Sequence, residues 1–430
     1  MNTVIVEDGP RLRELLQDRS RAMTVSPVGW RDCRGWTIRA GAISHESGGF
    51  FDVTGVEYQD TGEQFLLLQQ RQSAVTALLT HERAHDILYL VQARQEPGNL
   101  LSVQLAPTVQ STPANYLAVH GGRRSSYIDS VLGYSSSISA IVDTYQLDLA
   151  SRYLRKSKRV LFLRSDELLP TEESFAWIPG ASLVEWACES ALLNADLRAL
   201  LAVSPWSAGD PADGLVPASP LVRDSLTQPV RSDVAGSLLA SIDPAAVRPV
   251  RNVALDRLRN WTFTADALSE IDPCQCFDVR FYSVSAPDRE VRTWSQPLID
   301  SHGEGEVILE YRISRGVLEV GVRVAREPGL AGAGVLQPSS VVYPGLRGVL
   351  SAAAGTRSDG SVETTECDEG GRFMQDVSRY RVAPHDAGPN AEAGSTHWLR
   401  VSELKWILSH PMVASMQLRV VTSHLLALRA

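Results

Sequence analysis

Apolar residues in this chain gather in short runs with polar residues between them, far more often than they recur at helical spacing. FFDVTGV, QFLLLQQ, DILYLVQA and RVLFL in the first half, and EVILEYRI and VLEVGVRVA in the second, carry the β-branched and aromatic residues of strands. Three stretches change to a period of three to four, YIDSVLG, SLVEWACESALLN and SELKWILSH, and these predict helices. Strands fill the first part of each half and a helix closes it. The class this predicts is α+β.

The pattern occurs twice. Trp36 opens WTIRAGAIS, and 225 positions later Trp261 opens WTFTADALS. Both blocks run into an aromatic-Asp-Val triplet, Phe51-Asp52-Val53 and Phe277-Asp278-Val279. VQARQEPG ends at Gly98 and VRVAREPG at Gly329; LAPTVQSTP starts at Leu105 and LQPSSVVYP at Leu336; both pairs lie 231 positions apart. SRYLRKSKR from Ser151 faces GRFMQDVSR from Gly371 at an offset of 220, and NADLR (Asn194 to Arg198) faces SMQLR (Ser415 to Arg419) at 221. Blocks that keep their order and spacing over a whole half-chain indicate a tandem duplication. At roughly 150 residues per domain, the chain divides into a first repeat over 1–206, a linker over 207–248 and a second repeat over 249–430. The linker is polar and punctuated by proline, with SDVAGSLLASI as a short helix inside it.

Charge and composition narrow the partners. Lys and Arg total 41 against 50 Asp and Glu, a net charge of -9, so the chain has no general attraction for nucleic acid or anionic lipid. An anionic ligand would need a local cationic pocket. No apolar run approaches the roughly 20 residues of a membrane span, and the start MNTVIVEDGP lacks the apolar segment of a signal peptide. Cys33, Cys188, Cys274, Cys276 and Cys367 are odd in number and scattered, which suits a reducing compartment. The expectation is a cytoplasmic protein.

Several motifs carry possible chemistry. His81-Glu82-Arg83-Ala84-His85 has the spacing of a zinc-binding HExxH helix whose glutamate activates water. Its counterpart in the repeat is RISRG, ILYLVQA after it is β-rich, and no third ligand follows at the usual spacing, so the segment reads as a turn between strands. A zinc hydrolase using His81, Glu82 and His85 stays as the enzyme alternative. Cys274-Gln275-Cys276 lacks a second ligand pair and reads as two reduced thiols. There is no phosphate loop of the GxxxxGK[ST] kind and no GxGxxG after a strand. Gly121-Gly122-Arg123-Arg124 and Glu369-Gly370-Gly371-Arg372 place donors beside flexible backbone, either an exposed turn or an anion site. The run Arg152 to Arg159 is the most basic stretch, and Arg372, Arg379 and Arg381 surround Tyr380 opposite it. Each reads as a solvated strand face or as a diphosphate contact. Glu96 and Glu327 precede Pro-Gly turns and are either general bases or acceptors for the turn backbone.

Taken together, HESGGFFDVTG (His45 to Gly55), VQARQEPGNLLSVQLAPTVQSTPANYLAVHGG (Val91 to Gly122), YLRKSKR, NADLR, the second AREPG and EGGRFMQDVSRYRV (Glu369 to Val382) make the chain resemble the NDP-hexose 2,3-dehydratases of deoxysugar biosynthesis over nearly its whole length. The resemblance implies two tandem Nudix-like domains and a homodimer. A Nudix box is absent from both halves, so metal-dependent diphosphate hydrolysis is not expected. The implied reaction is β-elimination on a dTDP-linked 4-keto-6-deoxyhexose. The C4 ketone acidifies the C3 proton, a base removes it, the C2 hydroxyl leaves, and the enol becomes a 3,4-diketo-2,6-dideoxy sugar for a downstream 3-ketoreductase. Such chemistry calls for no metal and no redox cofactor, only a base and a donor to the enolate oxygen. Under the resemblance, Glu96 or His120 is the base and Tyr116 the donor or acid. Gln104, Thr108 and Gln110 hold the sugar, and Arg123, Arg372 and Arg379, with Tyr380, meet the diphosphate.

The family's PTxQ segment is kept in the first half as Pro107-Thr108-Val109-Gln110 but reads Pro338-Ser339-Ser340-Val341 in the second. Val341 has neither donor nor acceptor where the repeat expects glutamine, and Tyr116 and His120 lack second-half partners. The expectation is that the first half recognises the sugar nucleotide. The binding alternative is a divergent, non-catalytic or repurposed nucleotide-sugar-binding protein.

Overall fold

The computed structural model describes residues 3–20, 23–119, 121–133, 137–242, 247–271, 275–286, 289–344, 360–385 and 396–430. One α+β unit occurs twice. In the first half, Trp36–Arg39, Ala42–His45, Asp52–Tyr58 and Gln64–Gln69 make a small antiparallel sheet. Ala74–Arg83, Asp86–Gln95, Val103–Ala106, Val109–Ser111, Ile138–Leu147, Ser157–Ser165 and Phe175–Pro179 follow as a 7-stranded mixed sheet, with Ser157–Ser165 parallel to Ala74–Arg83. The second half repeats this with a small sheet from Trp261–Phe263 to Thr293–Ser301. Its own 7-stranded sheet has Val377–Pro384 parallel to Gly305–Ser314. Trp36 and Trp261 therefore occupy the same element. Each leans on the matched phenylalanine, Trp36 on Phe51 at 4.8 Å and Trp261 on Phe277 at 5.1 Å, both tilted by 51°.

A pair of helices closes each unit: Gly180–Trp186 and Ala195–Val203 in the first, Val401–Leu408 and Met416–Ser423 in the second. The NADLR and SMQLR blocks are the starts of the second helix of each pair. Asn194 and Ser415 are their N-caps, each accepting the N–H three residues on. This cap divides SLVEWACESALLN, which the apolar period predicts as one helix. The chain leaves helix after Trp186, Ala191 turns through the left-handed region at φ 54°, and Asn194 starts again. Polar and capping residues outweighed the period.

The segment predicted as a linker is folded. Pro211 opens the 3-10 turn Pro211–Asp213 and Pro220 the helix Pro220–Thr227, and the helix Ser232–Ser241 follows. Val222, Ala235 and Leu238 are buried in the main core, and the Ser225 hydroxyl donates to the Leu318 carbonyl while accepting the Val401 N–H. HERAH is the tip of a β-hairpin, with His81 in strand Ala74–Arg83, Ala84 at φ 52° and His85 in the turn. A hairpin cannot put the two imidazoles on one helical face. Among the described residues no group of three or more potential metal ligands is found, and no helix is long and apolar enough to cross a membrane.

The halves are interlocked by exchange. Thr24–Val28, which precedes the first small sheet, pairs with Phe277–Ser285 of the second. Val250–Val253, which precedes the second small sheet, pairs with Asp52–Tyr58 of the first. The repeated Glu-Pro-Gly turns make a second exchange. Pro97 accepts the Gly371 N–H and Gly98 the Gln375 N–H, while Gly329 donates to Ala150 and accepts from Arg155. A Cβ on Gly98 would lie 1.8 Å from the Phe373 carbonyl oxygen, and one on Gly329 equally 1.8 Å from that of Tyr153. Glycine is required because another backbone passes there.

Candidate active site

A cleft opens where the first small sheet, the first large sheet and two second-half segments (289–296 and 369–372) meet. Trp36, His45, Phe50, Phe51 and Trp294 supply its apolar wall and charged side chains its floor. His45 sets Nδ1 2.8 Å from the Ser47 hydroxyl and its ring edge against Trp36 and Phe50. Burial pushes its pKa down, outweighing the charge of Glu46.

One end of the floor is a network whose polarity follows from a helix cap. Asn194 uses its amide oxygen to cap Ala195–Val203, so its NH2 group must face the cleft. That group donates to Gln110 Oε1 at 2.9 Å and to Glu96 Oε2 at 3.4 Å. The NH2 of Gln110 is then left for Glu96 Oε1, at 3.1 Å, where Arg94 Nε donates over the same distance. Glu96 is thereby held by three donors.

The other end is a buried chain of alternating charge. Lys156 Nζ lies 2.8 Å from Asp148 Oδ2 and 3.1 Å from Glu369 Oε1, and 3.7 Å over the Tyr153 ring. Lys158 Nζ lies 3.1 Å from the same Asp148 oxygen and 2.7 Å from Asp196 Oδ1. The Tyr153 hydroxyl donates to Glu369 Oε2 at 2.8 Å. Burial raises Asp148, but Lys156 and Lys158 together outweigh it and hold the carboxyl below the usual range. Burial alone would lower Lys158; Asp148, Asp196 and Glu369 reverse this and hold it above the ordinary lysine value.

Also lining the cleft is Glu290, which burial acts to raise, yet Arg289 and Arg94 bring it down to about 2. Arg372 lies 4.6 Å over the Phe51 ring with one NH group on the Gly371 carbonyl. Its Nε is buried and has no hydrogen-bond partner among the described residues. The Gly371 N–H is occupied by Pro97, so this Gly-Gly-Arg loop presents a side chain to the cleft rather than a backbone nest.

Of the residues singled out in the sequence, Glu96, Gln110 and Arg372 meet in this cleft. Gln104 is buried on the Ala191 carbonyl, and Thr108 ties two strands by accepting from Leu79 and donating to Leu90. Tyr116 ends the short helix Pro113–Tyr116 and does not line the cleft. Arg123 borders an adjoining polar groove that shares Arg94, Gln110, Arg289 and Glu290 with the cleft. Arg379 sits 3.7 Å from Glu306, and Tyr380 donates to Asp368 at 2.6 Å, both outside it. His120 lies outside the described residues. The basic run is not a solvated face: Arg152, Lys156 and Lys158 are buried.

Of the charged groups here, Arg94, Asp148 and Asp196 carry no chemical motif in the sequence, while Lys156, Lys158 and Glu369 stand only inside the basic run and the Gly-Gly-Arg block. The repeat itself held the signal. At the block offsets their counterparts are Ala325, Asp368, Asp376, Ser378, Gln417 and Leu149, so only Asp148 keeps its residue type. In the second half Arg152 lies 4.6 Å over Phe277, as Arg372 lies over Phe51. It is satisfied, however, by the Gln275 carbonyl and the Ser301 hydroxyl, with Asp376 at 3.9 Å. Glu327 accepts from Tyr343 and Gln337 of its own half. With no lysine beside it, Asp368 is pushed up by burial and by Asp376.

The family model for NDP-hexose 2,3-dehydratase matches residues 13–203 and again 237–425. Three similar proteins are each described as a dTDP-4-dehydro-6-deoxy-alpha-D-glucopyranose 2,3-dehydratase. That of Streptomyces violaceoruber is 29% identical over 87% of this chain and 86% of its own. That of Saccharopolyspora spinosa is 27% identical over 90% and 84%, and that of Amycolatopsis orientalis 25% over 89% and 81%. The repeat, the cleft shared by both halves and the paired match agree: the chain belongs to the NDP-hexose 2,3-dehydratase family.

Proposed function

We propose that this chain removes water across C2 and C3 of a dTDP-linked 4-keto-6-deoxyhexose, in the cleft of the first half. The observation that carries the reading is that Lys156, Lys158 and Glu369 stand there and are replaced by Asp376, Ser378 and Leu149 at the matching positions of the other repeat. Glu369 takes the C3 proton. Lys156 gives a proton to the departing C2 hydroxyl, and the 3.1 Å contact between the two returns the proton from Glu369 to Lys156. One C–H and one C–O bond break, a C2–C3 double bond forms, and water leaves. Lys158 stands toward the C4 oxygen as it gains negative charge, and the enol then shifts its proton from the C3 oxygen to C2. Glu96, fixed by three donors, accepts from a sugar hydroxyl beside Gln110. Arg372 meets the diphosphate, which supplies the acceptor that its buried Nε lacks.

With this reading go a Nudix-like ancestry for each repeat, a homodimer, the boundaries 1–206, 207–248 and 249–430, and a cytoplasmic place in a deoxysugar pathway of the kind that feeds antibiotics. A 3-ketoreductase follows, because the diketo product needs reduction. The test is to incubate the purified chain with dTDP-4-keto-6-deoxyglucose, a 3-ketoreductase and its nicotinamide cofactor. A 2-deoxy product lighter by one water is expected. Binding without turnover would instead make the chain a nucleotide-sugar-binding protein.

In the same assay Gln110→Val should lower kcat/KM by roughly ten- to a hundredfold. It removes one donor to Glu96 and leaves the Asn194 NH2 group with only its 3.4 Å contact to Glu96, about 1–3 kcal/mol. Val341→Gln should leave kcat/KM unchanged, since distant sites act independently. A wild-type rate for Gln110→Val would remove this network from the site.

A further inference from the structure

The chain has three lysines against thirty-eight arginines. One, Lys405, caps the end of helix Ala195–Val203 through the Ala202 and Ser204 carbonyls. The other two, Lys156 and Lys158, share a single oxygen of Asp148. Where arginine serves almost everywhere else, lysine at these two positions indicates a need for a compact ammonium, which can yield a proton as a guanidinium cannot.

Asp148 does not line the cleft, and its side chain is fully buried. Its second oxygen, Oδ1, accepts the Leu149 N–H at 3.0 Å, so backbone on one side and two ammoniums on the other leave the carboxylate one orientation. The groups facing it are Lys156, Lys158, Asp196 of the adjoining helix, Arg419 of helix Met416–Ser423, and Glu369 with Tyr153 beyond Lys156. In the second half the aspartate persists as Asp368 while both lysines are gone. The aspartate is thus common to both repeats, and the lysines on it belong to one.

We propose that Asp148 is a positioning residue that holds Lys156 and Lys158 as a matched pair of ammonium donors, the first aimed at the leaving hydroxyl and the second at the enolate oxygen. This rests on the dehydratase reading of the cleft. Asp148→Asn keeps the shape and removes the charge, so Lys158 should lose its proton at lower pH. In the coupled assay kcat should fall ten- to a hundredfold with KM within about twofold, and the alkaline limb of kcat should move down by about one pH unit or more. Lys158→Arg, with Asp148 intact, should take the Lys158 ionisation out of that limb, because the guanidinium stays charged.

The three lysines also make the titration visible without turnover. Lysine-selective isotope labelling of the full chain yields three side-chain signals. The Lys158 signal should titrate at lower pH in Asp148→Asn than in wild type, and that of Lys405, held by carbonyls elsewhere, should not move. Equal Lys158 titration in both proteins, or a lowered kcat with an unmoved pH profile in Asp148→Asn and Lys158→Arg alike, would overturn the proposal. If wild type itself gives no turnover, the dehydratase reading fails, and the lysine titration still decides whether Asp148 holds Lys158 charged.

Discussion

Glu369→Gln is expected to lower kcat by about 10²- to 10⁴-fold while KM for the sugar nucleotide changes little, the range set by loss of a positioned general base. The substitution keeps volume and shape, and the amide oxygen still accepts the Tyr153 hydroxyl. It removes the site that receives the C3 proton, and with it the return of that proton to Lys156. Lys156 keeps Asp148 as counterion at 2.8 Å, so the floor of the cleft should stay in place and the fold should be unaffected. The measurement is kcat in the coupled assay, beside near-ultraviolet dichroism to show that packing is intact. A loss below about threefold would exclude Glu369 as the base and move the role to another carboxylate of the cleft, Glu96, Asp196 or Glu290. Because Glu369 comes from the second repeat, the expected large loss would also show that the first-half cleft depends on the second half for its chemistry.

That dependence explains what the sequence did and did not reveal. Period and repeat were enough for α+β and for the duplication, since FFDVTGV, DILYLVQA and VLEVGVRVA are largely buried strands whose apolar and β-branched content is local. The Glu-Pro-Gly turns were legible as turns. Their glycines, however, serve a contact with the opposite half that no local pattern expresses. The same holds for the site. Glu96, Gln110 and Arg372 were found because they stand in recognisable blocks, whereas Gln104, Thr108 and Tyr380 stand in equally recognisable blocks and point into the core. Block membership does not say which way a side chain faces. The basic run of Lys156 and Lys158 reads from the sequence as a solvated face or a diphosphate contact, not as a buried ion-pair chain, because their counterions, Asp148, Asp196 and Glu369, are brought in by three different segments. A residue-by-residue comparison of the two repeats would have found them, since a charge kept in one half and absent from the other is hard to attribute to folding alone.

The interlock of the halves has its own expected cost, largest at Arg198 and Glu366. Arg198 lies in the first-half helix Ala195–Val203 and Glu366 in the second-half strand Val362–Cys367. Their contact is 2.7 Å with both side chains 0% exposed. Arg198 also donates to the Ala187 and Glu189 carbonyls. Glu366→Gln leaves a buried guanidinium that cannot shed its charge, and should destabilise the protein by about 3–5 kcal/mol with little dependence on pH. Arg198→Met leaves a carboxylate that can escape by taking up a proton. Burial already pushes Glu366 up against the pull of Arg198, and without that pull it rises further. The folded variant then binds a proton that the unfolded chain, with an ordinary value near 4.3, does not. Its stability therefore improves as pH falls through the raised value, down to the unfolded one, and worsens as pH rises. Arg198→Met should accordingly cost most at alkaline pH and recover on acidification, while Glu366→Gln should not recover. Replacing both by leucine removes the charges together and should restore most of the loss. Urea unfolding at pH 5.5 and 8 on the three variants measures this. Parallel pH dependence of the two single variants would mean that the pair's charges are not what joins the halves at this point.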